Sequence, residues 1–125
     1  MKKLLLIEDD QFSAQSLAEQ LAEFYEVIVS RVGEEGFQDI VSMLPDVILL
    51  DIMLPGKMNG FDVLREVKQN SATLNIPVIM LTNLDNQEKA AQEGGAVACF
   101  VKANTTFDQI HQTIEKALAS PTQNK

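Results

Sequence analysis

The chain has 125 residues, of which 46% are hydrophobic, and this is enough for one compact domain with a continuous buried core. Its formal net charge of -8 disfavours binding to nucleic acid or to anionic lipid, since Lys2 and Lys3 form the only adjacent basic pair. The single cysteine, Cys99, excludes an intrachain disulfide and a zinc site with several cysteines, and it favours a reducing compartment, the cytoplasm.

Five short apolar runs predict five buried strands. Uninterrupted apolar runs are typical of strands that are covered on both faces, as in a parallel sheet between two layers of helices. The first run is too short for an export signal or a membrane span, because three acidic residues follow it directly. The runs occupy residues 4–7, 27–29, 47–50, 78–81 and 98–101.

The segments between these runs have helical spacing. Apolar residues recur three and four positions apart, and Thr105 is the predicted N-cap of the last helix. Strands that alternate with helices predict an α/β fold, a (βα)5 three-layer sandwich around one parallel five-stranded sheet. The predicted stripes are Ala14, Leu17, Ala18 and Leu21; Phe37, Ile40, Val41 and Leu44; Phe61, Leu64 and Val67; and Phe107, Ile110, Ile114, Ala117 and Leu118.

The helix predicted over residues 85–93 is the weakest of the set. Asp85 and Glu88 have the spacing of a capping box, but the only apolar positions are Ala90 and Ala91. Burying an alanine gains far less than the roughly 1.5–3 kcal/mol of a buried leucine or phenylalanine. We therefore expect this helix to shift most easily.

Charged and hydroxylated side chains follow four of the five runs. Ligand sites in open parallel sheets form beyond the carboxyl ends of the strands, so we expect these residues to meet at one edge. Clustered carboxylates repel one another unless a cation compensates them, and oxygen ligands favour a hard ion such as Mg²⁺. The residues concerned are Glu8, Asp9, Asp10, Asp51, Thr82, Asn83 and Lys102.

In this order and at these strand ends, the residues resemble the receiver domains of two-component response regulators. The resemblance spans residues 3–119 and rests on the acidic group at 8–10, Asp51 in LDIMLPG, Thr82 in MLTN and Lys102 in FVK. It implies a flavodoxin-like fold with the strand order 2-1-3-4-5.

The resemblance implies a role for each matched residue. Asp51 would be the nucleophile that becomes an aspartyl phosphate, while Lys102 and Thr82 would contact the phosphoryl group. Mg²⁺ would offset the charge of the phosphoryl oxygens. Its implied ligands are Asp9, Asp51, the Met53 backbone carbonyl and, through water, Glu8.

We expect a signalling switch that catalyses only its own phosphorylation and dephosphorylation, and not a turnover enzyme. The implied phosphodonor is a sensor histidine kinase or a phosphotransfer protein, and the output passes through contact with a downstream protein. We expect a cytoplasmic monomer or weak dimer that binds neither nucleic acid nor membranes. The receiver domain is predicted over residues 1–120, followed by a polar tail at 121–125.

Two of the departures from the family pattern lie in or directly beside the fifth run and Lys102. Cys99 stands where receivers usually carry a tyrosine or phenylalanine, and Phe100 cannot replace it because adjacent strand residues point to opposite faces. Ala103 follows Lys102 where a cis proline is common, and we expect a trans bond because a non-proline cis bond costs roughly 2.5–4 kcal/mol. We therefore hypothesise that signalling relies on the weak helix at 85–93.

These departures keep a second hypothesis open, in which the chain is a phosphorylation-independent scaffold that retains the fold and the acidic site. Binding of acetyl phosphate or beryllofluoride would separate the two. Two further classes are disfavoured. A hydrolase of the haloacid-dehalogenase type would need an aspartate at the position of Met53, and a flavin carrier would need hydroxyls and amides in place of the acidic residues at 8–10.

Overall fold

The five apolar runs form five parallel strands, each longer than its predicted run by at most two residues. The strands lie in the order β2-β1-β3-β4-β5, and this confirms the predicted fold class and topology. The computed structural model describes residues 1–120, so the predicted polar tail lies outside the described residues. The strands are β1 (Lys3–Ile7), β2 (Glu26–Ser30), β3 (Val47–Asp51), β4 (Val78–Thr82) and β5 (Ala98–Val101).

Helices alternate with the strands along the chain. None of those described is both long and apolar enough to cross a membrane. A short 3-10 turn, Lys102–Asn104, connects β5 to the last helix. The helices are α1 (Gln11–Leu21), α2 (Gly33–Met43), α3 (Gly60–Gln69), α4 (Glu88–Glu93) and α5 (Phe107–Ala119).

The sheet has a separate apolar core on each face, because side chains alternate along its strands. Leu5 belongs to the core that α2, α3 and α4 cover, whereas its neighbour Leu4 belongs to the core that α1 and α5 cover. Cys99 packs against the first core and Phe100 against the second. This confirms that the two residues point to opposite faces.

Helix α4 begins three residues later than predicted, at Glu88 instead of Asp85. Asn86 has a left-handed backbone with a φ of 64°, which an α-helix cannot contain. The N-cap residue makes no side-chain hydrogen bond, so the predicted capping box is absent. Only Ala91 is buried, whereas Ala90 is exposed. The helix is therefore held by even less apolar contact than the sequence indicates.

The stripe predicted for α2 is only partly correct. Ile40 is buried, but Val41 and Leu44 are 41% and 49% exposed. Leu44 is the C-cap, and its left-handed φ of 50° ends the helix before this residue can join the buried face. That face instead includes Gly36, where a Cβ would lie 2.5 Å from the Ile7 side chain. Close contact between helix and strand therefore replaces the expected apolar side chains.

The N-cap of α5 is Thr106 and not Thr105 as predicted. Thr106 has an extended backbone, its hydroxyl accepts from the Gln109 amide, and the Gln109 side chain accepts in return from the Thr106 amide. Thr105 instead donates its hydroxyl proton to the Val101 carbonyl at 2.7 Å. The sequence carries two adjacent threonines, and only the capping box with Gln109 decides between them.

Tyr25 connects the end of α1 to α5. Its side chain is buried, and its hydroxyl donates to the carboxylate of Glu115 at 2.5 Å. Burial, and then the hydrogen bond to Glu115, raise the pKa of the phenol above its ordinary value. The folded protein therefore holds this proton at pH values where the unfolded chain loses it.

Tyr25→Phe should lower the free energy of unfolding by about 1 kcal/mol at neutral pH, because one hydrogen bond is lost. An unfolded tyrosine deprotonates at about pH 10. The contribution of Tyr25 to the free energy of unfolding is therefore fully present below that pH and declines as the pH rises beyond it. Urea denaturation of both proteins should show the difference shrinking at alkaline pH. A difference that stays constant up to the most alkaline pH would contradict this assignment.

Candidate functional site

The carboxyl ends of β1 and β3 bring three carboxylates together. Glu8, Asp9 and Asp51 each offer one oxygen, and these oxygens lie within 4.8 Å of one another. The residues that precede Glu8 and Asp51 are partners in the β1–β3 register, so the two carboxylates leave the sheet side by side. Glu8 and Asp51 are 2% and 5% exposed. Two of the three carboxylates are therefore largely removed from water.

Lys102, directly after β5, is the cation of this cluster. Its ammonium group donates to Glu8 and, at 3.3 Å, to Asp51 Oδ2. Burial alone would lower the pKa of Lys102, but the hydrogen bond to Glu8 and the charge of Asp51 raise it above its ordinary value. Lys102 contacts two of the three carboxylates of the cluster, so carboxylates outnumber the ammonium groups that pair with them. An excess of carboxylates favours a bound cation.

Backbone amides orient the two buried carboxylates. Asp51 Oδ1 accepts from the Met53 amide at 3.1 Å, and Glu8 Oε2 accepts from the Asp10 amide at 3.1 Å. Burial, and then the nearby Asp51 carboxylate, raise the pKa of Glu8, although its hydrogen bond to Lys102 acts in the opposite direction. Each carboxylate thus has one oxygen bound to the backbone and the other bound to Lys102.

Asp10 lies outside this cluster. It is the N-cap of α1, and its side chain accepts from the Ser13 amide at 2.8 Å. This hydrogen bond holds the pKa of Asp10 below its ordinary value. Of the three consecutive acidic residues, two therefore belong to the site and the third starts a helix.

Arg31 also supports the site, although it is not among the residues predicted from the sequence. Its guanidinium donates to the Asp9 carbonyl through Nε at 3.2 Å and Nη2 at 2.7 Å. These two bonds fix the backbone of Asp9 next to Glu8. Arg31 directly follows β2, so the strand-end rule would have found it if the second apolar run had been extended by one residue.

Thr82 lies at the end of β4 and is fully buried. Its hydroxyl oxygen accepts from the Leu84 amide at 3.0 Å, and within residues 1–120 it makes no hydrogen bond to a carboxylate of the cluster. The preceding residue, Leu81, pairs with Asp51 in the register of β3 and β4. Thr82 is therefore one residue beyond Asp51 on the neighbouring strand, and Asn83 after it is exposed.

The donor atoms of this cluster fit a hard divalent cation. All of them are carboxylate oxygens, and no thiolate or imidazole joins them in the described part of the chain. Mg²⁺ is typically held in proteins by one or two carboxylates together with waters and phosphate oxygens. Met53 is 58% exposed, and its backbone amide donates to Asp51 Oδ1.

The two departures from the expected pattern are visible at β5. The bond between Lys102 and Ala103 is trans as predicted, since residues 1–120 contain no cis peptide bond. Cys99 is partly buried, and burial, followed by the charge of Glu88, raises the pKa of its thiol. No aromatic residue stands at this position next to the site.

Comparison with known proteins relates this geometry to one family. The family model described as response regulator receiver domain matches residues 4–115. The response regulator PleD of Caulobacter vibrioides is 38% identical over 97 residues, which are 75% of this chain and 21% of PleD. The transcriptional regulatory protein CiaR of Streptococcus pneumoniae is 43% identical over 82 residues, which are 66% of this chain and 35% of CiaR. The chain thus spans only part of the length of these relatives.

A solved structure shows the same likeness. The BeF3-activated N-terminal receiver domain of Klebsiella pneumoniae RstA matches with a TM-score of 0.86 and 28% identity. The match covers 94% of this chain and 99% of that domain. The similarity therefore extends over the whole sheet and its helices.

Proposed function

Because the chain belongs to the family of response regulator receiver domains, we propose that Asp51 accepts a phosphoryl group from a phosphohistidine of a sensor kinase or phosphotransfer protein. An Asp51 oxygen forms the new bond to phosphorus while the bond from phosphorus to the donor imidazole breaks. The imidazole nitrogen keeps the electron pair of that bond. The observation that best supports this proposal is the contact between Asp51 and Lys102 at 3.3 Å beside two further carboxylates.

Lys102 and Thr82 would contact the transferred group. The Lys102 ammonium already lies against Asp51, so it can stabilise negative charge that builds up on the phosphoryl oxygens. The Thr82 oxygen accepts a hydrogen bond from the Leu84 amide, and among residues 1–120 no acceptor takes the proton of its hydroxyl. A small movement of Thr82 towards Asp51 would place this donor on a phosphoryl oxygen.

We propose that Asp9, Asp51 and the Met53 backbone carbonyl hold Mg²⁺, and that Glu8 holds it through water. The bound ion would supply positive charge to the phosphoryl oxygens during transfer. Glu8 is well suited to an indirect role, because one of its oxygens binds Lys102 and the other binds the Asp10 amide. Arg31 would keep the Asp9 backbone in place.

We further propose that the chain is a switch and not a turnover enzyme, and that its output is contact with a downstream protein. The lone Cys99 thiol supports a reducing, cytoplasmic location. A monomer or weak dimer is the proposed oligomeric state. The structural element proposed to change is α4, because Ala91 is its only buried residue and its N-cap has no side-chain hydrogen bond.

Beryllofluoride, which mimics a phosphoryl group on a carboxylate, separates the switch from the scaffold hypothesis. With Mg²⁺ and beryllofluoride together, amide exchange in residues 83–101 should change by at least about fivefold, the lower end of usual allosteric coupling. Mg²⁺ alone is the control. Unchanged amide exchange throughout the chain would favour the scaffold hypothesis. A change confined to residues 51–54 would support Asp51 as the acceptor and contradict the proposed role of α4.

A further inference from the structure

Glu34, in the first turn of α2, contacts the loop that follows Asp51. We name residues 52–59 the acceptor loop. Glu34 Oε2 accepts from the Lys57 amide at 3.2 Å, and a Cβ at Gly56 would lie 3.1 Å from the same oxygen. Glu34 Oε1 is buried and has no hydrogen-bond partner in the described chain. Its own amide, and then that of Lys57, hold the pKa of Glu34 below its ordinary value.

The acceptor loop has a second anchor at its base. The Gly60 amide donates to the Ile52 carbonyl at 2.8 Å, which ties the end of the loop to the end of β3. The start of α2 also touches the loop backbone, because a Cβ at Gly33 would lie 2.4 Å from the Met58 carbonyl oxygen. The base of the loop is therefore held by the sheet, and its outer part is held by α2.

We infer that Glu34 is a positioning residue for the proposed Mg²⁺ site, since its carboxylate holds the acceptor loop that carries Met53, whose amide donates to Asp51 and whose carbonyl is a proposed ligand. This inference rests on the proposed function. Gly56 has a φ of 87°, a left-handed conformation that glycine adopts without strain. Because glycine also adopts many other backbone conformations, the loop could take other shapes. Without the Glu34 contact, ordering the loop would oppose metal binding.

A purely helical role for Glu34 makes a different prediction. Acidic residues in the first turn favour a helix through its dipole, and α2 has two of them, Glu34 and Glu35. Glu35 is exposed and makes no hydrogen bond to the acceptor loop in the part of the chain that the structure describes. Glu35→Ala therefore removes the same charge from the same turn and serves as the matched control for Glu34→Ala.

Mg²⁺ titration followed by amide chemical shifts tests the inference. Glu34→Ala removes the acceptor of the Lys57 amide and should weaken Mg²⁺ binding by about tenfold, the lower end of the usual loss when a residue that orients a metal site is removed. Amide exchange at Lys57 should also be faster in the metal-free protein. Glu35→Ala should change neither quantity, and urea denaturation should show that both alanine variants remain folded.

A second variant disturbs the same contact from the loop side. Gly56→Ala strains a left-handed backbone and crowds the Glu34 carboxylate, so it should weaken Mg²⁺ binding with Glu34 intact. If the wild type binds Mg²⁺ and both variants bind it equally well, the inference is overturned while the proposed function stands. If the wild type itself shows no saturable Mg²⁺ binding, the proposed function fails and the inference fails with it.

Discussion

Asp51→Asn should abolish the uptake of a phosphoryl group. After incubation with acetyl phosphate and Mg²⁺, intact-mass measurement should show one added phosphoryl group on the wild type and none on the variant. An amide is not a usable nucleophile, although its oxygen can still accept the hydrogen bond that Lys102 donates to Asp51. The variant therefore removes the nucleophile with almost no change in side-chain volume, and it gives up one of the two hydrogen bonds that Asp51 accepts.

Asp85→Asn is the matched control for this experiment. Asp85 is an exposed carboxylate in the segment before α4, outside the acidic cluster. This variant should gain the same mass as the wild type. Chelation of Mg²⁺ should suppress the gain in the wild type, because the uncompensated charge of the cluster then repels the donor. A mass gain that persists in Asp51→Asn would place the acceptor on another residue.

Gly60→Ala should destabilise the fold by about 3 kcal/mol, the upper end of usual overpacking effects. The new Cβ would lie 2.3 Å from the Asp51 carbonyl oxygen and 2.6 Å from the Ile52 Cα. Both are backbone atoms, so no side-chain rotation can relieve the clash. The end of β3 and the start of α3 would have to move apart. The acceptor loop, which connects them, would change shape as a result.

Gly94→Ala tests whether the backbone clash is what makes Gly60→Ala destabilising. Gly94 caps the end of α4 with a φ of -78°, and a Cβ there would approach the flexible end of the Leu64 side chain at 2.8 Å. Leu64 is buried, but the end of its side chain can move where a backbone atom cannot, so we expect a cost of about 1 kcal/mol, the lower end of usual overpacking effects. Urea denaturation measures both variants. Equal destabilisation of the two would show that the glycines matter for a reason other than backbone contact.

The strands and the composition of the site are the parts that could be predicted from the sequence. Apolar runs mark the strands directly, and the topology of a parallel sheet brings their carboxyl ends to one edge. For this reason Asp9, Asp51 and Lys102 could be grouped although they are far apart in the chain. No knowledge of side-chain positions was needed for that step.

Two of the missed features, the start of α4 and the contact of Glu34, depend on a single backbone angle or on the path of a loop. The start of α4 is set by the left-handed Asn86, which no apolar pattern reveals. The Glu34 contact depends on where Gly56 and Lys57 pass, and nothing local distinguishes Glu34 from Glu35. The Glu34 contact therefore cannot be predicted without the three-dimensional path of the acceptor loop.

The position of Cys99 has a practical consequence for following α4. This residue is the only thiol in the chain, and it lies on β5, the strand against which α4 packs. A partly buried thiol with a raised pKa reacts slowly with alkylating reagents, because the thiolate is the reactive form. Displacement of α4 would uncover the sulfur and move the Glu88 charge away. The alkylation rate of this one atom therefore reports how often α4 opens, without any introduced label.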